Sequence, residues 1–173
     1  MKFKVLVRFC ADTRAAFDRA NLASPHDEDS SLSQNKFPMG CCGDTSKILT
    51  HLIFLQFGVI PIYRSGTYKS HLIYDSRLRT NNNHAWLEVK ELKIDITADQ
   101  FNDRGFRNPK VMLTKSNKFH RLFADRQNFM DNLPQKHLKV DSELISSSAY
   151  IFKCLKENGW DLPFLAIPAP TPS

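Results

Sequence analysis

The spacing of apolar residues predicts three amphipathic helices and, between the last two, several short strands. The predicted helices span residues 4–22, 44–57 and 141–157. Gly58 and Gly159 directly follow two of them, and Pro25 ends the region of the first, as expected for residue types that stop helices. Asp141 is a suitable N-terminal cap for the last helix.

Alternating apolar and polar positions predict the strands. The strand-like runs lie at 59–63, 70–74, 83–89, 92–97 and 111–114. Because the connections between most of them are short, we expect one antiparallel sheet, with a polar loop at 23–39 before the second helix. The order of elements predicts a single α+β domain over residues 1–162. The tail 163–173 contains four prolines, which cannot continue a helix.

The strands at 83–89 and 92–97 form a hairpin whose register can be calculated. If Lys90 and Glu91 form a two-residue turn, the apolar side chains of both strands share one face. His84 and Asp95 then lie on the other face as diagonal neighbours, close enough for their side chains to meet. The pair Lys90-Glu91 lacks the glycine that two-residue turns prefer, so a longer, bulged connection stays an alternative.

A thiol occurs at the start of the second predicted helix, in the sequence GCCGD at 40–44. Unpaired backbone N–H groups and the positive end of the helix dipole favour a thiolate there. The alternative interpretation of Cys42 is a small apolar residue of the core. With His84 and Asp95, however, it completes the thiol, imidazole and carboxylate of a nucleophilic acyl-transfer site.

Three motifs carry a resemblance to a known family. GCCGD at 40–44 resembles the G-x-C-x-D opening of transglutaminase-like proteins, and HAWLEV at 84–89 resembles their H-A-W-x-E-V strand. IDIT at 94–97 is similar to the strand that follows it, and residues 37–101 as a whole resemble small bacterial proteins of this papain-like superfamily. The resemblance implies a papain/transglutaminase-like α+β fold, with a catalytic helix packed against an antiparallel β-sheet.

The same resemblance implies a chemistry. Cys42 would be the nucleophile, His84 the base and Asp95 the residue that orients the base. Cys41 competes for the first role, but the G-x-C match and the position nearer the helix favour Cys42. The implied function is a cysteine-dependent hydrolase of amide bonds in a protein substrate, either a peptidase or a glutamine deamidase, acting through a thioester. The alternatives are a protein transglutaminase or other acyltransferase, a non-catalytic binding module on the same scaffold, and an oxidant-sensing thiol protein.

Three further residues are candidates for contact with the substrate. Gln34 and Asn35 precede the thiol at a distance that suits an oxyanion donor in papain-like sites, although a solvated polar pair in the loop is the alternative. Trp86 shares a strand face with His84. It either lines the substrate cleft or packs in a second layer of the core.

Composition narrows the classes of function. The chain of 173 residues carries a net charge of +6, but its basic residues form no stripe interleaved with aromatics, so we expect no nucleic-acid partner. It has no apolar run of 18 residues and no signal-peptide pattern, which predicts a cytoplasmic protein that binds no membrane. Delivery as an effector that modifies another protein is compatible with this profile. The expected partner is a protein or peptide substrate.

The four cysteines, at positions 10, 41, 42 and 154, lack the density and the paired spacing of a disulfide framework. We therefore expect free thiols. Neither C-x-x-C nor H-x₃-H spacing is present, and adjacent cysteines at a helix start suit a tetrahedral ion poorly. The sequence predicts no metal site and no cofactor.

Overall fold

The computed structural model of the chain describes residues 2–126 and 140–163. Within them, the α-helices are α1 (Phe3–Ala23), α2 (Ser31–Gln34), α3 (Cys42–Phe57) and α4 (Ile145–Glu157). The strands are β1 (Ile62–Tyr68), β2 (Asn83–Val89), β3 (Leu92–Asp95), β4 (Met112–Thr114) and β5 (Phe123–Arg126). Short 3₁₀ helices cover Ala98–Arg104, His120–Leu122 and Ser142–Leu144.

The strands form one sheet in the order β4-β3-β2-β1-β5, and all neighbours are antiparallel. This confirms the α+β class. Leu87 pairs with Ile94, as the apolar pattern predicts. The two-residue turn forms without glycine because Lys90 adopts the left-handed conformation, with φ of 55°. The register that brings His84 towards Asp95 is therefore the one that forms.

Two hydrophobic clusters cover the two faces of the sheet. The larger cluster joins α1, α3 and α4 to inward side chains such as Leu87 and Ile94, both with no exposed surface. The smaller one is mostly aromatic and includes Trp86, Phe101 and Phe119. Because neighbouring strand residues point to opposite faces, Leu87 joins the first cluster and Trp86 the second. The side chain of His84 lies on the aromatic face with Trp86.

Other predicted elements differ from the structure. The run 70–74 forms turns instead of a strand, since the Tyr68 hydroxyl accepts the Asp75 N–H at 2.7 Å and closes the intervening loop. The expected loop 23–39 contains α2, which is capped by Ser30. Asp141 makes no side-chain cap bond and instead accepts from Lys47 at 2.7 Å. Of the predicted tail, residues 164–173 lie outside the described residues.

Arg14 ties α1 to the segment that follows β3. Its guanidinium donates to both carboxylate oxygens of Asp99, at 2.7 and 2.9 Å, and to the Ile96 carbonyl at 2.8 Å. Arg14 is buried, with 3% of its surface exposed, so the pair is shielded from water. Asp99 therefore fixes the 3₁₀ helix that also carries Gln100.

Replacing Arg14 with leucine should lower the free energy of unfolding by about 3–5 kcal/mol, because Asp99 would be left without its partner in a largely buried position. Chemical denaturation measures the loss. Arg19→Leu is the matched control: Arg19 lies on the same helix, and its pair with Glu157 at 3.5 Å is half exposed. That change should cost less than about 1 kcal/mol. Equal losses of unfolding free energy in the two variants would show that the buried Arg14–Asp99 pair stabilises the fold no more than the exposed Arg19–Glu157 pair does.

Candidate active site

Cys42 is the first residue of α3, and its side chain is partly exposed. The first N–H groups of a helix have no partner within it, so their partial positive charges lie near this sulfur. The start of α3 is held by Asp44, whose carboxylate accepts from the Ser31 N–H at 2.8 Å and from its hydroxyl at 2.7 Å. The thiol is therefore carried on a fixed helix end.

The surroundings of Cys42 favour its charged form. Burial is the largest single influence on the thiol and raises its pKa, whereas the contact with the His84 ring and the charge of that ring lower it. The Ala85 N–H and the Gln100 side chain also bond to the sulfur and act in the same direction. The net result is a pKa below the ordinary value for cysteine. Cys42 therefore has the electrostatic setting of a reactive thiolate.

His84 lies in β2, and its side chain is fully buried. Its Nε2 is 2.6 Å from Oδ2 of Asp95. Burial lowers the pKa of His84, but the charge of Asp95 and its hydrogen bond outweigh this effect and raise the pKa to about 10. Because Nε2 faces Asp95, the ring nitrogen that can exchange a proton with Cys42 is Nδ1, which the Gln100 amide also approaches at 3.2 Å.

Asp95 is the last residue of β3 and has all its acceptor sites engaged. Its Oδ1 accepts from the N–H of Thr97 at 2.9 Å and from the Thr97 hydroxyl at 3.2 Å. Its Oδ2 faces His84, and also His120 at 2.9 Å. Burial raises the pKa of Asp95, but the charge of His84 and the hydrogen bonds from both rings hold it well below its usual range. The group is an ionised anchor for the imidazole.

Gln100 joins this group, although the sequence analysis did not select it. Its Nε2 lies 3.2 Å from Nδ1 of His84 and donates to the Thr97 carbonyl at 3.1 Å. Its Oε1 accepts the Gly40 N–H at 3.2 Å. Gln100 thus bridges the loop that precedes Cys42 and the segment after β3. The sequence signal for Gln100 was its place within residues 37–101, the part of the chain that carries the family resemblance, five residues after Asp95.

The two residues expected to bind an oxyanion have other hydrogen bonds. Gln34 and Asn35 are exposed, and their amides donate to the carbonyls of Glu28 at 3.4 Å and Ser31 at 3.0 Å. The amide that reaches Cys42 is that of Gln100. The two side chains expected to bind an oxyanion therefore donate to backbone carbonyls near α2 instead.

Trp86 is packed in the core, with 4% of its surface exposed. Its ring centroid is 4.9 Å from that of His120 and 5.9 Å from that of His84. The indole N–H donates to Glu88 at 3.3 Å. These contacts agree with the second interpretation of Trp86, in which its ring packs in a layer of the core.

The adjacent cysteines differ sharply. Cys41 has no exposed surface, and its thiol donates to the carbonyls of Met39 at 3.2 Å and Ser31 at 3.4 Å. Burial raises the pKa of Cys41 to about 12, and the charges of Cys42 and Asp44 act in the same direction. A neutral, enclosed thiol is a poor nucleophile. Between the two candidates, the geometry favours Cys42.

His120, like Gln100, is a site residue that the sequence did not predict. With His84 and Asp95 it forms a buried group of metal-ligand types whose atoms lie within 4.8 Å of one another. Two ligands of one tetrahedral zinc ion are about 3.3 Å apart, given metal–ligand distances near 2.0 Å. The N···O distances here are 2.6 and 2.9 Å. They are hydrogen-bond distances, which leave no room for an ion shared by these atoms.

No family model, curated protein or solved structure matches this chain. The likeness to transglutaminase-like proteins therefore rests on the three motifs, and the functional argument rests on the geometry of the site. Within residues 2–126 and 140–163, none of the helices has the length and apolar character needed to cross a membrane.

Proposed function

We propose that this chain is a cysteine-dependent hydrolase that acts on amide bonds of a protein substrate through a thioester on Cys42. One observation carries the proposal: the His84 ring lowers the pKa of the Cys42 thiol at the start of α3, and Nε2 of that ring is 2.6 Å from the buried carboxylate of Asp95. Structural cysteines rarely have such a base and orienting group behind them. The papain/transglutaminase-like fold belongs to the same proposal, supported by the thiol on α3, the imidazole on β2 and the carboxylate on β3.

In the first half of the reaction, the proton of Cys42 already resides on His84, and the Cys42 thiolate attacks the carbonyl carbon of the amide. A carbon–sulfur bond forms, and the carbonyl oxygen becomes an oxyanion. The backbone N–H of Cys42 and the amide of Gln100 are the donors on this side of the site. The carbon–nitrogen bond then breaks, and His84 returns the proton to the leaving nitrogen.

In the second half, His84 takes a proton from water, whose oxygen attacks the thioester carbon. The carbon–sulfur bond breaks, and the Cys42 thiolate and the protonated His84 ring are restored. If the leaving nitrogen belongs to a glutamine side chain, ammonia is lost and glutamate is formed. If it belongs to the backbone, the substrate is cleaved. A lysine amine in place of water would form a cross-link, which is the transglutaminase alternative.

Quantitative mass spectrometry of a proteome incubated with the protein tests the proposal. New glutamates at glutamine sites or new chain ends are expected with the native protein and with Cys41→Ala, and neither is expected with Cys42→Ala. Cross-linked peptides would identify an acyltransferase instead of a hydrolase. Identical proteomes after treatment with the native protein and with Cys42→Ala would count against an enzyme and favour the binding module.

A cytoplasmic site of action is part of this proposal. Its support is that all four cysteines are free, three of them buried. A protein that folds without disulfides suits a reducing compartment.

A further inference from the structure

We propose that His120 is a positioning residue of this site, which holds Asp95 from a second side and so fixes the orientation of His84. The inference rests on the proposed function, since it assigns a role within the same thiol chemistry. It concerns a residue outside the three motifs that carry the family resemblance.

His84 and His120 share one oxygen atom of Asp95. Oδ2 of Asp95 is 2.6 Å from Nε2 of His84 and 2.9 Å from Nε2 of His120. The other oxygen accepts from the two donors of Thr97. Both histidine side chains and the carboxylate have no exposed surface, so water does not substitute for any of these donors. Removing His120 would leave Oδ2 with a single bond and the carboxylate freer to turn.

The contacts with Asp95 also determine which ring nitrogens of the two histidines carry hydrogen. An ionised carboxylate only accepts hydrogen bonds, so both Nε2 atoms that face Asp95 carry hydrogen. For His84 in its neutral form, this leaves the lone pair on Nδ1, the nitrogen on the side of Cys42. A carboxylate held in place by several donors thus selects the tautomer of His84 that can take the thiol proton.

Burying an imidazole at position 120 also carries an energetic penalty. Nδ1 of His120 is buried and has no hydrogen-bond partner among the described residues. A buried nitrogen without a partner is unfavourable, and a phenyl ring would fill the space beside Trp86 without that penalty. The hydrogen bond between Nε2 of His120 and Asp95 compensates for this penalty. The ring therefore does more than pack against the indole 4.9 Å away.

The test compares two substitutions that separate the ring from the donor. His120→Phe keeps an aromatic ring for Trp86 but has no N–H for Asp95. His120→Gln loses the ring but places an amide N–H near the former position of Nε2. The measured quantity is the rate at which iodoacetamide alkylates Cys42 at pH 7, with the labelled site identified by peptide mapping.

If His120 positions Asp95, His120→Phe should slow alkylation by about tenfold, since small displacements of catalytic groups are costly. His120→Gln should stay within about twofold of the native rate. A packing role alone predicts the reverse order. Equal rates in the two variants, or a slower His120→Gln, would overturn the inference. Should His120→Phe fail to fold, His120→Asn replaces it, because its amide is one bond too short to reach Oδ2.

A spectroscopic measurement on the native protein needs no variant. Nitrogen-15 spectra of labelled histidine should show hydrogen on Nε2 of both His84 and His120, and a neutral His120 with hydrogen on Nδ1 alone would contradict the inference. Failure of the proposed function is recognised separately, because Cys42 alkylation would then be independent of His84. Normal dependence on His84 with a native-like His120→Phe would refute the role of His120 only.

Discussion

Substituting asparagine for Asp95 should reduce hydrolysis by on the order of 10⁴-fold, the size of loss seen when the carboxylate of a catalytic triad becomes an amide. An amide offers one acceptor and one donor, whereas the present carboxylate faces donors on both oxygens. If the amide nitrogen turns towards His84, two N–H groups meet. The ring must then move its hydrogen to Nδ1, and the base for Cys42 is lost.

Nitrogen-15 spectra of the Asp95→Asn protein check this reason directly, since neutral His84 should carry its hydrogen on Nδ1 instead of Nε2. Hydrolysis of the substrate identified by mass spectrometry gives the rate. Asp103→Asn is the matched control, because Asp103 lies in the segment after β3 but is exposed, and its ion pair is with the neighbouring Arg104 at 3.7 Å. Its activity should stay within severalfold of native. An active Asp95→Asn protein would remove Asp95 from the mechanism.

Replacing His84 with glutamine should slow alkylation of Cys42 at pH 6 by at least about tenfold, since a change of one unit in pKa changes the thiolate fraction about tenfold at that pH. A cysteine of ordinary pKa, near 8.5, has roughly 0.3% thiolate at that pH. In the native protein, the His84 ring lowers the pKa of Cys42, while the pKa of His84 itself is raised to about 10. Native reactivity should therefore rise through a midpoint below that of an ordinary cysteine, as the pH passes the lowered pKa of Cys42. The ion pair with His84 is then lost as the pH rises through about 10.

In the His84→Gln protein, the rise in reactivity should move to higher pH, because burial still raises the pKa of Cys42 and the charge that offset it is gone. The pH dependence of iodoacetamide labelling, followed by peptide mapping, measures both midpoints. His71→Gln removes an exposed histidine and should leave the profile unchanged. Cys41 should stay unlabelled in all three proteins. Indistinguishable profiles for native and His84→Gln protein would exclude His84 as the partner of the thiol.

The hairpin and the three motif residues could be predicted from the sequence because one face of the hairpin is buried. Shifting Leu87 by one residue from Ile94 would expose the apolar side chains of a whole strand, so the pattern alone determines the register. The position of Cys42 followed from a similar constraint, since the apolar stripe of α3 and the stop at Gly58 define where the helix begins and ends.

Gln100 and His120 could not be predicted in the same way. Both lie in short 3₁₀ helices, which have no apolar period that would reveal them. They reach the site through tertiary contacts over 16 residues from His84 to Gln100 and 25 residues from Asp95 to His120. The false strand at 70–74 has a related origin. Its alternation was overridden by the hydrogen bonds between Tyr68 and Asp75.

The bond between Gly40 and Gln100 links two parts of the molecule that supply different reactants. The Cys42 sulfur belongs to helix α3, whereas the His84 imidazole and the Asp95 carboxylate belong to the sheet. Gly40 adopts a φ of 68°, and an added Cβ would come within 3.3 Å of Asn35, so this junction tolerates little change. This bond therefore helps to hold helix and sheet at the distance that keeps the His84 ring within reach of the Cys42 sulfur.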